Sequence, residues 1–391
     1  MSRPGHHPAI ALALALAGAV LAAGCGSAAP ASPGTATHSA PAAASLDTSL
    51  VTAAGTWAVA VMGGSAAQHN NFWQLFLRPA GSTRWKLVTP PGTADNGGLV
   101  LAGGGGQSLI TGLRPSQDLT YTPLAVTGDG GQAWSSAGPL DAALADVPDA
   151  LAPAPGSGKL LALLADGTAR LSAPGYASWS TLASRQTLAA TPPGRRCGLQ
   201  NLTAAAFSPS GMPLLAGTCG RPGTAGILAY SAGTWQAAGP QLPAALAHQN
   251  IAVLRLIRTA GRTTALLAAS AGSATSLLAG WLAGSGTHWI LSAPFRLNGA
   301  KLTSTSPGPG GTTVIVLNGN RAETIAGPGA SWQPLPGLPA GTATLAAGPA
   351  GGLDALAVHR ARLTVWHLAP GAAAWDTTQT INVPIQFGSS S

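Results

Sequence analysis

The chain has 391 residues, of which 46% are hydrophobic and only 8% are charged. This composition excludes an intrinsically disordered chain, because disorder requires low hydrophobicity and high net charge. The formal net charge of +8 rests mostly on arginine, since Lys86, Lys159 and Lys301 are the only lysines. No block of five or six basic residues occurs, so nucleic acid is excluded as the expected partner.

Residues 1–25 have the features of an export signal. Arg3 precedes an apolar run, Ala9 to Ala23, that is too short to span a membrane comfortably. The run ends Leu21-Ala22-Ala23-Gly24-Cys25, which resembles a bacterial lipobox with alanine where leucine is usual. The resemblance implies that Cys25 is lipidated and anchors the protein to the cell membrane on its extracytoplasmic face. The alternative is an ordinary secretory signal with a cysteine at this position by chance.

Residues 26–47 are rich in Ala, Pro, Ser and Thr and have no hydrophobic periodicity. Such a segment predicts a flexible linker that lifts the following domain off the bilayer. Because one repeat continues from residue 48 to the end of the chain, we assign residues 48–387 to a single domain.

Seven tryptophans follow short turns of Gly, Ser or Ala at spacings of 43 to 56 residues. A period of about 40–55 residues with several strands per unit is typical of a β-propeller. Short apolar runs bounded by glycine, such as Val314–Leu317, favour buried strands over helices. We therefore predict an all-β fold, a seven-bladed β-propeller of four-stranded antiparallel blades. The tryptophans are Trp85, Trp134, Trp179, Trp235, Trp289, Trp332 and Trp375.

The predicted blades follow one another along the chain. Blade 1 covers Ser49 to Thr89, blade 2 Gly97 to Leu140, blade 3 continues to Ser184, blade 4 covers Leu202 to Leu242, blade 5 Ile251 to Ala293, blade 6 Lys301 to Leu338 and blade 7 Thr342 to Ile385.

The stretch Thr127-Gly128-Asp129-Gly130-Gly131-Gln132-Ala133-Trp134 resembles the Asp-box, or BNR, repeat, with Ala133 where threonine is usual. The other tryptophan turns lack the aspartate. The resemblance implies an exported lipoprotein with a BNR-like propeller of the WD40/YVTN-like type. It also implies that Asp129 caps the turn between the third and fourth strands and that Trp134 packs between blades. An aspartate in such a turn accepts hydrogen bonds from backbone N–H groups that have no ladder partner.

Two cysteines remain besides Cys25. Cys197 and Cys219 are 22 residues apart in a domain that we expect to be exported, so we predict a disulfide between them. The bond would tie the connector before blade 4 to the second strand of that blade. No His or Cys lies at ligand spacing beside them, so we expect no metal site, and we expect no cofactor.

Polar residues are unevenly divided between the two faces of the predicted propeller. The turns between first and second strands, and between third and fourth strands, share one face and are mostly Gly and Pro. The turns between second and third strands share the other face with the connectors between blades. That second face carries the candidate ligand-binding residues His69, Arg114, Arg195, Arg196, Arg221, Arg321 and Arg360. Converging guanidinium groups favour carboxylate or phosphate partners. The alternative is that longer loops are simply more solvated.

Two functions fit this pattern. The first is a membrane-anchored, extracytoplasmic binding or assembly scaffold, a monomer that recognises an envelope protein or an anionic polymer or glycan on the arginine-rich face. The second is an extracytoplasmic glycan hydrolase or lyase of the sialidase-like propeller type. Sialidases use a tyrosine nucleophile with a nearby glutamate, whereas this chain has three tyrosines and one glutamate, Glu323. We assign no catalytic residue. Two carboxylates within about 5–10 Å over the central channel would favour the enzyme.

We predict that Cys25→Ser releases the protein from the membrane fraction, because the substitution removes the thiol that would carry the acyl chains. Fractionation of cells and mass spectrometry of the mature N-terminus measure this. A variant that stays in the membrane fraction, together with a lipid-free wild type, would contradict the lipobox interpretation.

Overall fold

Antiparallel strands make up nearly all of the regular structure in the computed structural model of the protein. The structure describes residues 47–64, 71–93, 98–104, 106–113, 123–136, 148–259, 261–284, 288–348 and 350–385. Within these residues, consecutive segments of the chain form seven antiparallel blades. Six blades have four strands, blade 5 has an additional short strand, and the pair Thr218–Ala252 joins the sheets of blades 4 and 5. The fold is a seven-bladed β-propeller, as the tryptophan spacing predicts.

The first four blades lie between residues 49 and 237. Blade 1 contains β1 (Ser49–Thr52), β2 (Gly55–Gly63), β3 (Asn71–Pro79) and β4 (Lys86–Leu87). Blade 2 contains β5 (Leu99–Gly103), β6 (Leu109–Leu113), β7 (Leu124–Thr127) and β8 (Ser135–Ser136). Blade 3 contains β9 (Ala150–Pro153), β10 (Leu160–Leu163), β11 (Thr168–Ser172) and β12 (Trp179–Ser184). Blade 4 contains β13 (Leu199–Phe207), β14 (Pro213–Cys219), β15 (Gly226–Ser231) and β16 (Thr234–Ala237).

The last three blades follow without interruption. Blade 5 contains β17 (Asn250–Thr259), β18 (Arg262–Ala271) and β19 (Ala274–Ala283), and both β20 (Trp289–Leu291) and β21 (Phe295–Arg296) pair with β19 at its outer edge. Blade 6 contains β22 (Leu302–Pro307), β23 (Thr313–Leu317), β24 (Arg321–Ile325) and β25 (Gln333–Pro334). Blade 7 contains β26 (Thr342–Ala347), β27 (Leu353–His359), β28 (Arg362–Leu368) and β29 (Asp376–Asn382).

Two short helices, α1 (Arg185–Ala189) and α2 (Pro192–Cys197), form the connector between blades 3 and 4. Short 3₁₀ turns occur at Pro174–Tyr176, Ala244–Leu246 and Pro309–Gly311. The described residues include no helix with the length and apolar character needed to cross a membrane.

The second strand of a blade is shielded on both faces by the neighbouring blades. All four residues of β10 and all five residues of β23 are buried. This explains why these strands read as continuous apolar runs rather than as an alternation of apolar and polar residues.

Each of the seven repeat tryptophans packs between its own blade and the preceding one. The indole N–H of Trp134 in blade 2 donates to the carbonyl of Val88 at the end of blade 1, at 3.1 Å. The indole N–H of Trp289 in blade 5 donates to the carbonyl of Ala238 after blade 4, at 2.7 Å. Trp85 and Trp289 are buried and the other five are half-buried. The repeat spacing therefore reflects the same tryptophan contact, which recurs between each pair of neighbouring blades.

Asp129 caps the turn between the third and fourth strands of blade 2. Its Oδ1 accepts hydrogen bonds from the backbone N–H groups of Ala133 and Gln132, both at 3.0 Å, and from the hydroxyl of Thr127 at 2.8 Å. These bonds, the one from Ala133 first, lower the pKa of Asp129 below its usual value.

The ring closes between blades 7 and 1 through one buried carboxylate. Asp354 is 2% exposed and accepts from the indole N–H of Trp85 at 2.9 Å, from the guanidinium of Arg78 at 2.9 Å and from the Nδ1–H of His367 at 2.7 Å. The side-chain amide of Gln379 adds two hydrogen bonds to the backbone of Trp85. These two blades share no sheet, so these side chains and the hydrogen bond from the N–H of Gly63 to the carbonyl of Arg360 hold the ring shut.

We predict that Asp354→Ala lowers the free energy of unfolding by about 3–5 kcal/mol, because it leaves the largely buried Arg78 guanidinium without its counter-charge. Denaturant unfolding monitored by tryptophan fluorescence measures the change. Asp376→Ala, which removes an exposed carboxylate from the neighbouring strand β29, is the matched control and should shift stability by about 0.5 kcal/mol or less. Equal losses in the two variants would show that Asp354 does not carry the closure.

Candidate functional site

Three of the predicted arginines converge at blade 4. Arg195 and Arg196 lie in the last turn of α2, and Arg221 lies two residues after the end of β14. The backbone N–H of Arg221 donates to the carbonyl of Cys197 at 3.1 Å. The structure joins Cys197 to Cys219, with their Cα atoms 5.0 Å apart, as the sequence analysis predicts. We call Arg195, Arg196 and Arg221 the blade 4 arginine cluster.

Local sequence explains why α2 begins and ends where it does. Thr191 precedes the helix, and its hydroxyl accepts a hydrogen bond from the N–H of Gly194 at 3.2 Å. A Cβ atom on Gly194 would lie 1.9 Å from the carbonyl oxygen of Leu188, so the close approach of α2 to α1 requires glycine. Gly198 ends the helix in the left-handed region, with φ of 64°, which other residues adopt at a cost. The chain then turns into β13, and both arginines stay at the connector face.

The cluster presents positive charge to solvent. All three side chains are exposed, and within the described residues none of the three forms an ion pair. Arg185 lies beside the cluster, and its guanidinium donates to the carbonyl of Gln200 at 3.3 Å. The adjoining turn of blade 3 contributes one acid, Asp166, whose carboxylate accepts from the N–H of Thr168 at 2.7 Å. Four guanidinium groups beside one carboxylate leave this surface strongly basic.

The other predicted arginines lie elsewhere on the same face. Arg321 begins β24 in blade 6, and its guanidinium is 3.8 Å from the carboxylate of Glu323. Burial raises the pKa of Glu323, and the charge of Arg321 opposes that shift. Arg360 lies in the turn between the second and third strands of blade 7, and its carbonyl accepts from the N–H of Gly63 at 3.1 Å. These two residues are two and three blades away from the cluster. His69, Arg114 and Cys25 lie outside the described residues.

The tyrosines and the glutamate expected of a sialidase-like site are dispersed. Tyr176 lies in the turn after the third strand of blade 3, and burial raises its pKa. Tyr230 lies in blade 4 with its ring centroid 5.1 Å from that of Trp235. Glu323 lies in blade 6. Tyr121 is not among the described residues.

Two carboxylates, Asp47 and Asp149, line the central channel, and different neighbours engage them. Asp47 accepts from the hydroxyl of Thr305 at 2.5 Å and lies 3.5 Å from the guanidinium of Arg255. Burial raises the pKa of Asp149, and the nearby charge of Asp166 raises it further. Across the described parts of the chain, no group of three or more His, Cys, Asp or Glu is placed to hold a metal ion.

Comparison with known structures relates the chain to several propellers at low sequence identity. The β-propeller domain of Cps50 (Swd1) from Myceliophteria thermophila superposes with a TM-score of 0.52 and 11% identity, over 83% of this chain and 97% of that one. A protein from Lactobacillus plantarum gives 0.50 and 11%, over 85% and 97%. YCF48 from Cyanidioschyzon merolae gives 0.49 and 12%, over 84% and 97%. This chain shares the β-propeller fold. No family model and no curated protein matches it.

The turns on the opposite face are small, as the sequence analysis expects, but that face is not featureless. The strand ends beside these turns bring Arg78, His367, Arg258 and Arg262 to it. Sequence reasoning missed these residues because it searched loops, whereas each of these side chains belongs to a strand. The signal that could have found them is an arginine at the end of a largely apolar strand, as Arg258 follows Ile251–Ile257.

We predict that Cys197→Ala lowers the free energy of unfolding by about 2–4 kcal/mol, because the disulfide closes a 22-residue separation and restricts the unfolded chain. Denaturant unfolding with and without reductant measures the difference, and mass mapping without reductant should recover the linked peptides. Two free thiols in the wild-type protein, or unfolding curves that do not respond to reductant, would contradict the assignment.

Proposed function

We propose that the protein is an extracytoplasmic, lipid-anchored binding scaffold that holds an anionic partner at the blade 4 arginine cluster. The observation that carries the proposal is that two bonds fix the backbone bearing Arg195, Arg196 and Arg221 at one corner of blade 4. A disulfide and a backbone hydrogen bond fasten α2 to the end of β14 at this corner.

Solvation alone does not require this arrangement. A solvated loop needs polar side chains but no disulfide, no tightly packed glycine and no fixed helix end. Holding the backbone of three guanidinium groups in place reduces the conformational entropy lost on binding, which is how a preorganised surface gains affinity. Paired guanidinium groups recognise carboxylate or phosphate through two parallel hydrogen bonds.

The position of the cluster favours a large partner over a small one. The three side chains lie on an exposed surface rather than in a cleft, whereas small-molecule sites are concave and mostly apolar. An acidic envelope protein, or an anionic polymer of the envelope, can span the cluster together with Arg185. A partner that also reached Arg321 and Arg360 would have to cover most of the connector face.

The proposed linker suits such a role. Asp47 is held in the channel, which leaves residues 26–46 as the proposed linker, and a flexible chain of 21 residues has a root-mean-square reach of roughly 25 Å from the proposed anchor at Cys25. That reach lets the connector face meet partners within the envelope while the protein stays attached to the membrane.

We predict that Arg195→Gln, Arg196→Gln and Arg221→Gln together weaken binding of the full chain to poly-L-glutamate by about tenfold or more, because hydrogen bonds to charged groups each contribute about 1.5–3 kcal/mol. The full chain is assayed in phosphatidylcholine vesicles by co-sedimentation. Wild-type binding should also fall as salt rises, since screening acts over about 8 Å at physiological ionic strength.

The matched control replaces three exposed arginines elsewhere, Arg84, Arg296 and Arg362, with Gln and therefore makes the same change in net charge. It should bind within about twofold of wild type, since the effect depends on convergence rather than on total charge. If the cluster variant and the control lose affinity equally, binding follows net charge alone and the proposed site is wrong. Capture of an envelope partner by wild type but not by the cluster variant would extend the result to the native ligand.

A further inference from the structure

The central channel contains a cavity of about 430 Å³ on the side away from the blade 4 arginine cluster. Inner strands of blades 1 to 6 line it, together with the first-to-second-strand turns of several blades. The turn residues include Ala53, Gly104 and Pro309, which places the mouth of the cavity on the face opposite the connectors. The volume lies within the range of about 300–1,000 Å³ that is typical of small-molecule sites.

Most of the cavity wall is apolar. Leu50, Val100, Leu151, Ala205 and Leu256 are among the lining residues, and none of the described lining residues is aromatic. A base, or another ring that binds by stacking, would have no ring to stack on. Burial of methylene groups against such a wall removes apolar surface from water, so the wall favours an aliphatic chain.

One cation at the mouth has no partner among the described residues. Arg258 is the next-to-last residue of β17, so it lies near the turn that joins the first two strands of blade 5. Its side chain lines the cavity, its Nε is buried without a hydrogen-bond partner, and it forms no ion pair. The hydroxyl of the next residue, Thr259, is likewise buried and unpaired. The Nη groups of Arg258 are not among the buried unpaired atoms, so they can donate to an acceptor that enters the cavity.

The surroundings of the mouth do not supply that acceptor. The seven first-to-second-strand turns contain no Asp or Glu in their sequence. Arg262 adds a second guanidinium beside Arg258 and donates to the carbonyl of Gly310 at 3.1 Å. The carboxylates that line the cavity belong to its other end, because Asp149 precedes β9 and Asp47 precedes β1. The cavity is therefore cationic at its mouth, mostly apolar along its wall and acidic at its other end.

We propose that this cavity binds a small amphipathic carboxylate. The aliphatic chain of the ligand lies along the inner strands, and its carboxylate accepts hydrogen bonds from the Nη groups of the Arg258 guanidinium. The site is independent of the proposed scaffold function, since it uses the opposite face and none of the arginines of the cluster.

The test is isothermal titration calorimetry of the full chain in phosphatidylcholine vesicles with three probes of equal length: octanoate, octan-1-ol and octylammonium. Protein-free vesicles supply the partition background. Octanoate should give saturable binding at least tenfold tighter than the other two probes. Arg258→Gln should weaken octanoate binding about tenfold or more and leave octan-1-ol binding unchanged, because only the carboxylate meets the guanidinium.

Two further variants make the outcome decisive. Ala53→Trp, at an exposed position on the rim, should reduce binding of octanoate and octan-1-ol together by filling the mouth. Arg362→Gln, on the other face, should change neither. The proposal is overturned if octanoate shows no saturable binding, if octylammonium binds more tightly than octanoate, or if a folded Arg258→Gln protein binds octanoate as wild type does.

Discussion

The buried carboxylate of Asp354 holds the ring on which the rest of the structure depends. Each blade is made from consecutive strands, so no sheet contains strands from both ends of the chain. Side chains and one backbone hydrogen bond, from Gly63 to Arg360, join the first and last blades, and Asp354 accepts hydrogen bonds from Trp85, Arg78 and His367 at this junction. The guanidinium of Arg78 also lies 5.7 Å from the centre of the Trp85 ring, where a cation is attracted to the ring face. A ring closed in this way fixes both the connector face and the width of the channel.

The same closed ring separates two surfaces of different chemistry. The connector face carries a basic corner at blade 4, where a disulfide and Gly198 constrain the backbone that carries three exposed arginine side chains. The opposite face opens into an aliphatic channel with Arg258 at its mouth. An exposed basic surface suits a large anionic partner, whereas an apolar cavity suits a small ligand with one charged end. A single rigid scaffold can therefore hold both without either site disturbing the other.

Much of the fold could be predicted because the repeat is defined by residues that are close together in the sequence. Turn residues and a tryptophan recur in every blade, and the apolar run Val314–Leu317 lies within β23 in the structure. The pairing of Cys197 with Cys219 followed from their number and from the export signal.

The arginine cluster was only partly predictable. Arg195, Arg196 and Arg221 meet because α2 folds back onto β14, whereas Arg321 lies beside Glu323 in a different blade. Loop sequences indicate which face a residue occupies but not how far apart two blades place it.

The sequence by itself determined the number of blades, the order of strands and the division of turns between two faces, because these depend on short-range spacing. Only the tertiary structure decided which charges are buried. Arg255 is fully buried against Asp47 and Thr313, and Asp354 is buried against Arg78. Both ion pairs join residues that are more than 200 positions apart in the sequence, and Thr313 belongs to a different blade from Arg255. Such partners meet only when the ring closes. A buried charge is tolerated where its counter-charge is brought to it, and that meeting depends on the whole ring rather than on any local pattern.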